Sequence, residues 1–344
     1  MSKSSLPWAE LGWRAEVESW IGAALADMGA VPNGLIEQPH IRPWSTVLSV
    51  PTTAGLFYFK ATAPALHHEP ALTSALSQWH PNCVPAVAAA DAERGWLLMA
   101  DSGPSLRSII KRDGDLMHWR TVLPKYAQLQ IDVAPRVAEL LHLGAIDRRL
   151  STLPILFAQL LDDTEALLLD HEDGLSAAEY ATLRELLPRY AEMCLQLANF
   201  GIPETLHHDD FHDGNIFVRL GQSTSTNRYT FADWGESCVA HPFFTLVVTL
   251  RSIGYTLDLD GDDPAILALR DHYLTAWSAY GDLDELRGAF ALANRIGMVN
   301  RALTWHLVVS ALEGDDKAQE AASVPGWLQE FLEAMTDRRA AASP

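Results

Sequence analysis

The stretch "HHDDFHDGN" at 207–215 concentrates three histidines, three aspartates and an asparagine, and "DWG" follows at 233–235. Side chains of these types can ligate a metal, move a proton or solvate a loop, and spacing separates the cases. The core spacing is His208-x-Asp210-x4-Asn215. After it, "IFVRL" and "YTFAD" read as strands, and "GQSTSTNR" between them is a turn patch. An antiparallel hairpin built this way holds Asn215 and Asp233 at its open end. There an amide oxygen and a carboxylate could share Mg2+ bound to nucleotide phosphates. Asp210, on the loop entering the first strand, could face a hydroxyl and accept or orient its proton.

These residues need elements to hold them. Residues 8–30 predict an amphipathic helix, with Trp13, Val17, Trp20, Ile21 and Ala24 at helical spacing. "STVLSV", a "PTTAG" turn and "LFYFKA" predict two strands. "HHEPALTSALSQW" predicts a helix, with Pro70 tolerable only near its first turn. "VPAVAAAD" and "WLLMA" add a further pair of strands. From about residue 105 the periodicity turns helical through "LMHWRTVLPKYAQLQIDV", "LPILFAQLLDDTEALLLD" and "AEYATLRELLPRYAEMCLQLANFG". A β interlude follows, and residues 264–280, 283–314 and 325–336 return to helix. The expected architecture is α+β and bilobal. A small sheet lobe with one helix, together with the N-terminal helix, covers 1–100, and a larger, mostly helical lobe covers 101–340; the junction is "MADSGPS" at 99–105.

In this context "HHDDFHDGN" and "DWG" resemble the catalytic and metal-binding loops of the aminoglycoside phosphotransferase and choline kinase-like group, which has a protein-kinase-like fold. The family loop H-G-D-x-H-x-G-N matches 208–215 except at Asp209, which replaces glycine. The resemblance implies a small-molecule kinase that moves the γ-phosphoryl of ATP or GTP, bound with Mg2+, to an alcohol. It assigns Asp210 as catalytic base, His208 as support of the loop, and Asn215 and Asp233 as Mg2+ ligands, leaving His212 open. It further implies a strand lysine bridging the nucleotide phosphates and a helix glutamate holding it. Lys60 in "LFYFKAT" and Glu69 supply these in order, and Met99 and Ala100 fall where the nucleotide-binding hinge should be. Thr245 stands where members commonly carry an aspartate. The match spans about residues 30–320.

Each assignment has a plainer competitor. Lys60 could be an edge lysine that blunts aggregation, and Glu69 a carboxylate favouring a helix N-terminus. Asp209 and Asp213 read as solvated loop residues or local caps. Zinc ligation by His207, His208 and His212 is disfavoured, because adjacent strand residues face opposite ways. The acidic run at 257–265 reads as a polar turn with Asp263 capping a helix through Pro264. Trp305 and His306 read as core and surface positions. No glycine-rich phosphate cover precedes "STVLSV", so backbone amides, Ser45 or Thr46 must take its place.

Composition narrows the classes. The net charge of −19 argues against nucleic acid or an anionic membrane as partner. Residues 1–100 hold 5 basic and 8 acidic side chains, and residues 101–344 hold 20 and 36, so the acidity is concentrated in the larger lobe. That balance suits either ordinary solubility or a cationic acceptor. Acceptors implied by the resemblance include aminoglycosides, amino alcohols and sugars. Cys83, Cys194 and Cys238 form no disulfide framework, and with no apolar leader the expected compartment is the cytoplasm. A catalytically weak, nucleotide-binding pseudokinase or scaffold is the alternative, and the oligomeric state stays open.

Overall fold

The computed structural model describes residues 6–222 and 226–336. Its N-terminal part is a five-stranded antiparallel sheet of β1 (Glu37–Ile41), β2 (Ser45–Thr52), β3 (Gly55–Thr62), β4 (Val87–Asp91) and β5 (Trp96–Ala100), in the order β1-β2-β3-β5-β4. β2 and β3 close through the expected turn, with Thr52 opposite Gly55. The Oγ1 of Thr52 accepts from the amide of Ala54 and donates to the carbonyl of Gly55.

Alternation along β3 sorts its side chains by face. Phe57, Phe59 and Ala61 enter an apolar cluster with Leu48, Val50 and Trp96. Tyr58 and Lys60 face the opposite way and line a cavity. Helix α1 (Leu11–Asp27) covers the apolar face with Val17, Ile21 and Leu25, and Trp20 meets the rings of Phe59 and Trp96 edge-on. Burying these aromatics supplies the main stabilisation of the small sheet, about 25 cal/mol for each Å² removed from water. Helix α2 (Glu69–Trp79) places Leu72 and Leu76 in the second, larger core. Its Pro70 sits in the first turn, where a missing N–H costs nothing.

The rest is mostly helical: α3 (Leu106–Asp113), α4 (Met117–Val133), α5 (Val137–His142), α6 (Leu153–Asp162), α7 (Ala177–Ala198), α8 (Thr245–Leu257), α9 (Pro264–Thr275), α10 (Leu283–Ser310), α11 (Gly314–Glu320) and α12 (Ser323–Thr336). Two small sheets are set among them. β6 (Ile146–Asp147), β10 (Cys238–Ala240) and β7 (Thr205–His207) make one, with β10 in the middle. β8 (Ile216–Arg219) and β9 (Arg228–Phe231) make the expected hairpin. Part of its connecting turn, residues 223–225, lies outside the described residues.

Several expectations need correction. β1 was not anticipated, and α8 falls within what reads as a β interlude. Its run "TLVVTL" carries the β-branched residues of a strand. The chain nevertheless enters it from a 3-10 turn at Pro242–Phe244, and the hydroxyl of Thr249 donates back to the carbonyl of Thr245 at 2.7 Å. The helix expected over 153–170 ends at Asp162. Asp263 does cap α9, accepting from the amide of Ala265 at 2.7 Å. Between β5 and α3, Gly103 has φ +97°, and a Cβ there would sit 2.7 Å from the carbonyl oxygen of Val218. Only glycine passes that crossing without strain.

Candidate active site

The register of β8 and β9 fixes the centre of the site. Ile216 pairs with Phe231, so Asn215 and Asp233 emerge together at the hairpin's open end, and the amide of Ala232 donates to the carbonyl of Asn215 at 3.0 Å. Two residues here take left-handed backbone angles without being glycine: Asp209 at φ +62° and Asp233 at φ +68°. Such strain persists only where surrounding bonds over-determine it. For Asp233, those bonds lead to Lys60.

The Nζ of Lys60 donates to Glu69 at 2.8 Å and to Asp233 at 2.5 Å. Glu69 in turn accepts from the backbone amide of Trp234 at 3.1 Å, and a Cβ on Gly235 would meet its carboxylate at 3.1 Å. Sheet, helix and hairpin thus converge on one ammonium group. Burial alone would lower the pKa of Lys60, but the charges of Asp233 and Glu69 outweigh it and hold the group above its usual value. The partial enclosure of Asp233 in the cleft would raise its carboxyl, and Lys60 pulls it below normal instead. The edge-strand reading of Lys60 fails, since β3 lies inside the sheet and the residue is 6% exposed.

Lys60, Asn215 and Asp233 line one cavity of about 220 Å³ together with Met99 and Ala100. Val47, Pro85 and Phe217 supply apolar surface suited to a flat ring. The Nδ2 of Asn215 donates to Asp210, which leaves its Oδ1 for another ligand, and the side chain of Asp233 is 49% exposed toward the same space. One amide oxygen and one carboxylate facing a shared cavity suit Mg2+, which keeps its remaining positions for water and phosphate. Ser45 and His40 line the cavity where a glycine-rich cover is missing. Thr46 does not, because its hydroxyl bonds to Gln38 and to the carbonyl of His40.

Asp210 lies on the far side of Asn215 and is bound at both oxygens. Oδ1 accepts from Arg301 at 3.1 Å, and Oδ2 accepts from Asn215 at 3.1 Å and faces His212 Nε2 at 3.2 Å. The Nδ1 of His212 accepts from the amide of Gly214, so its Nε2 carries the hydrogen toward Asp210. Burial would raise the carboxyl of Asp210, but Arg301 and His212 hold it well below the usual carboxylate range. His208 is fully buried and donates through Nε2 to the carbonyl of Ala232 at 2.9 Å. Burial lowers its pKa to about 4, so it is a neutral tie between the 207–215 loop and the backbone just before Asp233.

Arg301 and Glu236 carry no signal in the motif itself. Arg301, on α10 with its side chain 6% exposed, meets Asp210, Glu236 and, at 3.8 Å, Asp209. One cation serves three carboxyls. Burial, opposed by Arg301 and aided by Asp210, pushes the carboxyl of Glu236 up to about 7. The guanidinium also lies 5.4 Å from the ring centre of Trp305, which meets Trp44 of the β1–β2 turn edge-on at 6.0 Å. Trp305 is therefore a cation–π and cross-cleft contact, where the sequence suggested only a core position.

Asp209 and Asp213 also differ from expectation, being 2% and 1% exposed. Asp213 accepts from Arg107 at 2.7 Å and from the hydroxyl of Thr256 at 3.1 Å. Asp209 bonds to His207 Nε2 at 2.8 Å and accepts from Asn300 at 3.1 Å, while His207 Nδ1 meets the hydroxyl of Thr245 at 3.0 Å. The two positions that depart from the family pattern thus meet on one imidazole. A buried carboxylate is present after all, contributed from position 209.

Two lobes about a cleft, a lysine–glutamate pair and a loop–hairpin pair of carboxylates define a phosphotransferase of protein-kinase-like fold. The model of the phosphotransferase enzyme family, APH, matches residues 20–289, and the chain belongs to that family. It is a phosphotransferase acting on hydroxyl acceptors of small molecules. Among solved structures it is similar to an ethanolamine kinase from Plasmodium vivax (12% identity, TM-score 0.57, covering 87% of this chain and 83% of that one). It is also similar to the GDP complex of an aminoglycoside 2'-phosphotransferase-IIIa mutant (13%, 0.58, 94% and 99%). A choline/ethanolamine kinase family protein from Mesorhizobium loti gives 13%, 0.58, 94% and 96%. No curated protein matches the chain significantly. Among the described residues no helix is long and apolar enough to cross a membrane.

Proposed function

We propose that this protein transfers the γ-phosphoryl group of ATP or GTP, bound with Mg2+, to a hydroxyl of a small acceptor, amine-bearing alcohols such as aminoglycosides and amino alcohols included. The observation that carries the reading is the convergence of Lys60, Asn215 and Asp233 on one cavity, with Asp210 one hydrogen bond away from Asn215.

The nucleotide base would lie against Val47, Pro85 and Phe217, beside the backbone of Met99 and Ala100. Lys60, held by Glu69, would reach the α- and β-phosphates. Asn215 Oδ1 and the carboxylate of Asp233 would hold Mg2+, which supplies positive charge to the phosphates. Lys60 and Asp233 bond each other directly, so nucleotide entry must exchange that contact for phosphate contacts. Asp210, ionised and pinned by Arg301, His212 and Asn215, is a weak base by affinity. That suits phosphoryl transfer through a loose transition state, where orienting the hydroxyl counts for more than removing its proton early. His208 positions the loop. The excess of acidic residues in 101–344 supports a cationic acceptor by raising its local concentration. The three cysteines, all unpaired, support a reducing cytoplasm.

The test is thermal unfolding with Mg-ATP, Mg-GTP and Mg2+ alone, beside Asp233→Asn, followed by a screen of aminoglycosides, amino alcohols and sugars by ADP or GDP release. A nucleotide-dependent rise in midpoint that Asp233→Asn loses, with acceptor-dependent turnover that Asp210→Asn loses, is the expected result. Binding without turnover on any acceptor favours a scaffold, and no shift at millimolar nucleotide refutes the donor site.

A further inference from the structure

We propose that the groove between α6 and α10 is a second ligand site, built around Arg148, for a small organic anion: one carboxylate or phosphate group on a short apolar body. Arg148 follows β6 and is 6% exposed. Its Nη2 donates to the carbonyl of Leu303 at 3.2 Å, and its Nε is buried with no partner. Among the described residues no carboxylate lies within ion-pair distance of it, unlike Arg301 and Arg107, whose partners are in direct contact. A guanidinium stays ionised under any ordinary condition, and the more distant charge of Asp209 only partly offsets the burial of this one. Something anionic belongs beside it.

The surroundings say what kind. Arg148 lines a cavity of about 260 Å³ with Gln159, His306 and Ser310, and leucines of α6 and α10 form the remaining wall. The nearby carboxylate of Asp163 is already engaged, binding His306 Nε2 at 2.8 Å and accepting from the amide of Ala166 at 3.1 Å. The guanidinium can recognise a carboxylate or a phosphate through charge-assisted hydrogen bonds from the N–H groups left beside the Nη2–Leu303 bond. Leucine walls favour an apolar body behind that group. None of the residues lining this cavity lines the nucleotide cavity, so the two sites can fill independently.

Thermal unfolding of the full chain tests this with sodium butyrate and butyl phosphate as probes. Butanol is the neutral control, and ionic strength is matched with sodium chloride. The expected result is a saturable rise in midpoint of about 2 °C or more with at least one anion and none with butanol. Arg148→Met should lose the rise. So should Ser310→Trp, which fills the exposed mouth of the groove, leaves Arg148 in place and decides the matter if the first variant does not fold. Which anion acts tells carboxylate from phosphate. No saturable rise with either anion, or an undiminished rise in Ser310→Trp, overturns the proposal. The Mg-nucleotide response of the same variants reports separately on the phosphotransferase site.

Discussion

Replacing Arg301 with methionine removes the one cation shared by Asp209, Asp210 and Glu236 while keeping a long apolar stem against Trp305. The side chain is 6% exposed, so solvent cannot substitute for it. Breaking a buried ion pair from one side costs about 3–5 kcal/mol, because the carboxylates left behind stay desolvated. With an unfolding entropy of about 2.1 cal/mol/K per residue over 344 residues, that corresponds to a fall in Tm of roughly 4–7 °C. Differential scanning fluorimetry and urea titration of Arg301→Met measure it. The double variant Arg301→Met/Glu236→Leu should recover part of the loss, since it removes one of the stranded acids. Kinetics provides an independent readout. Arg301 opposes the effect of burial on Asp210, so its loss should raise the carboxyl of Asp210 and move the acid limb of kcat to higher pH. Activity at pH 5 should then fall more than activity at pH 8. A variant with wild-type Tm and an unmoved acid limb refutes the claim that Arg301 holds Asp210 ionised.

Glu236→Gln should change how stability depends on pH. The folded carboxyl titrates at about 7 against an ordinary 4.5, so the folded state holds its proton more tightly than the unfolded chain. Its contribution is full below pH 4.5 and lost as pH rises through 7, amounting to at most about 3 kcal/mol. Between pH 5 and 7.5 urea titrations of wild type should therefore decline relative to Glu236→Gln, and parallel curves would contradict the assignment. Asp209→Gly should destabilise by about 1–3 kcal/mol in urea titration. Relief of the left-handed backbone is worth about 1 kcal/mol, less than the stranding of His207 and Asn300; a more stable glycine variant would show that the carboxylate contributes nothing. Lys60→Met leaves Glu69 buried without its cation, so the unliganded protein should lose about 3 kcal/mol or more, read by urea titration. In the same variant the shift of midpoint with Mg-nucleotide should disappear.

The legible parts of the site were those written in local spacing. His208-x-Asp210-x4-Asn215 ahead of two short strands was enough to place Asn215 and Asp233 together, because a hairpin's register follows from its own alternation. The family resemblance called for a strand lysine and a helix glutamate, and the clear periods of the strand and helix located Lys60 and Glu69 as the candidates. Arg301 could not. It sits in the middle of a long regular helix, and nothing in "VNRALTW" distinguishes a side chain that enters the site from one that faces solvent. Asp209 looked solvated because aspartates in loops usually are, and its burial depends on His207 and Asn300 arriving from β7 and α10. For α8 the β-branched run gave the wrong period, and tertiary packing overrode it.

The edge contact between Trp44 and Trp305 has a kinetic consequence. It joins the turn above the nucleotide cavity to the helix that carries Arg301, so the cleft cannot widen without parting two indoles. Under the proposed function, nucleotide exchange through the cleft would include the breaking of that contact as one of its steps.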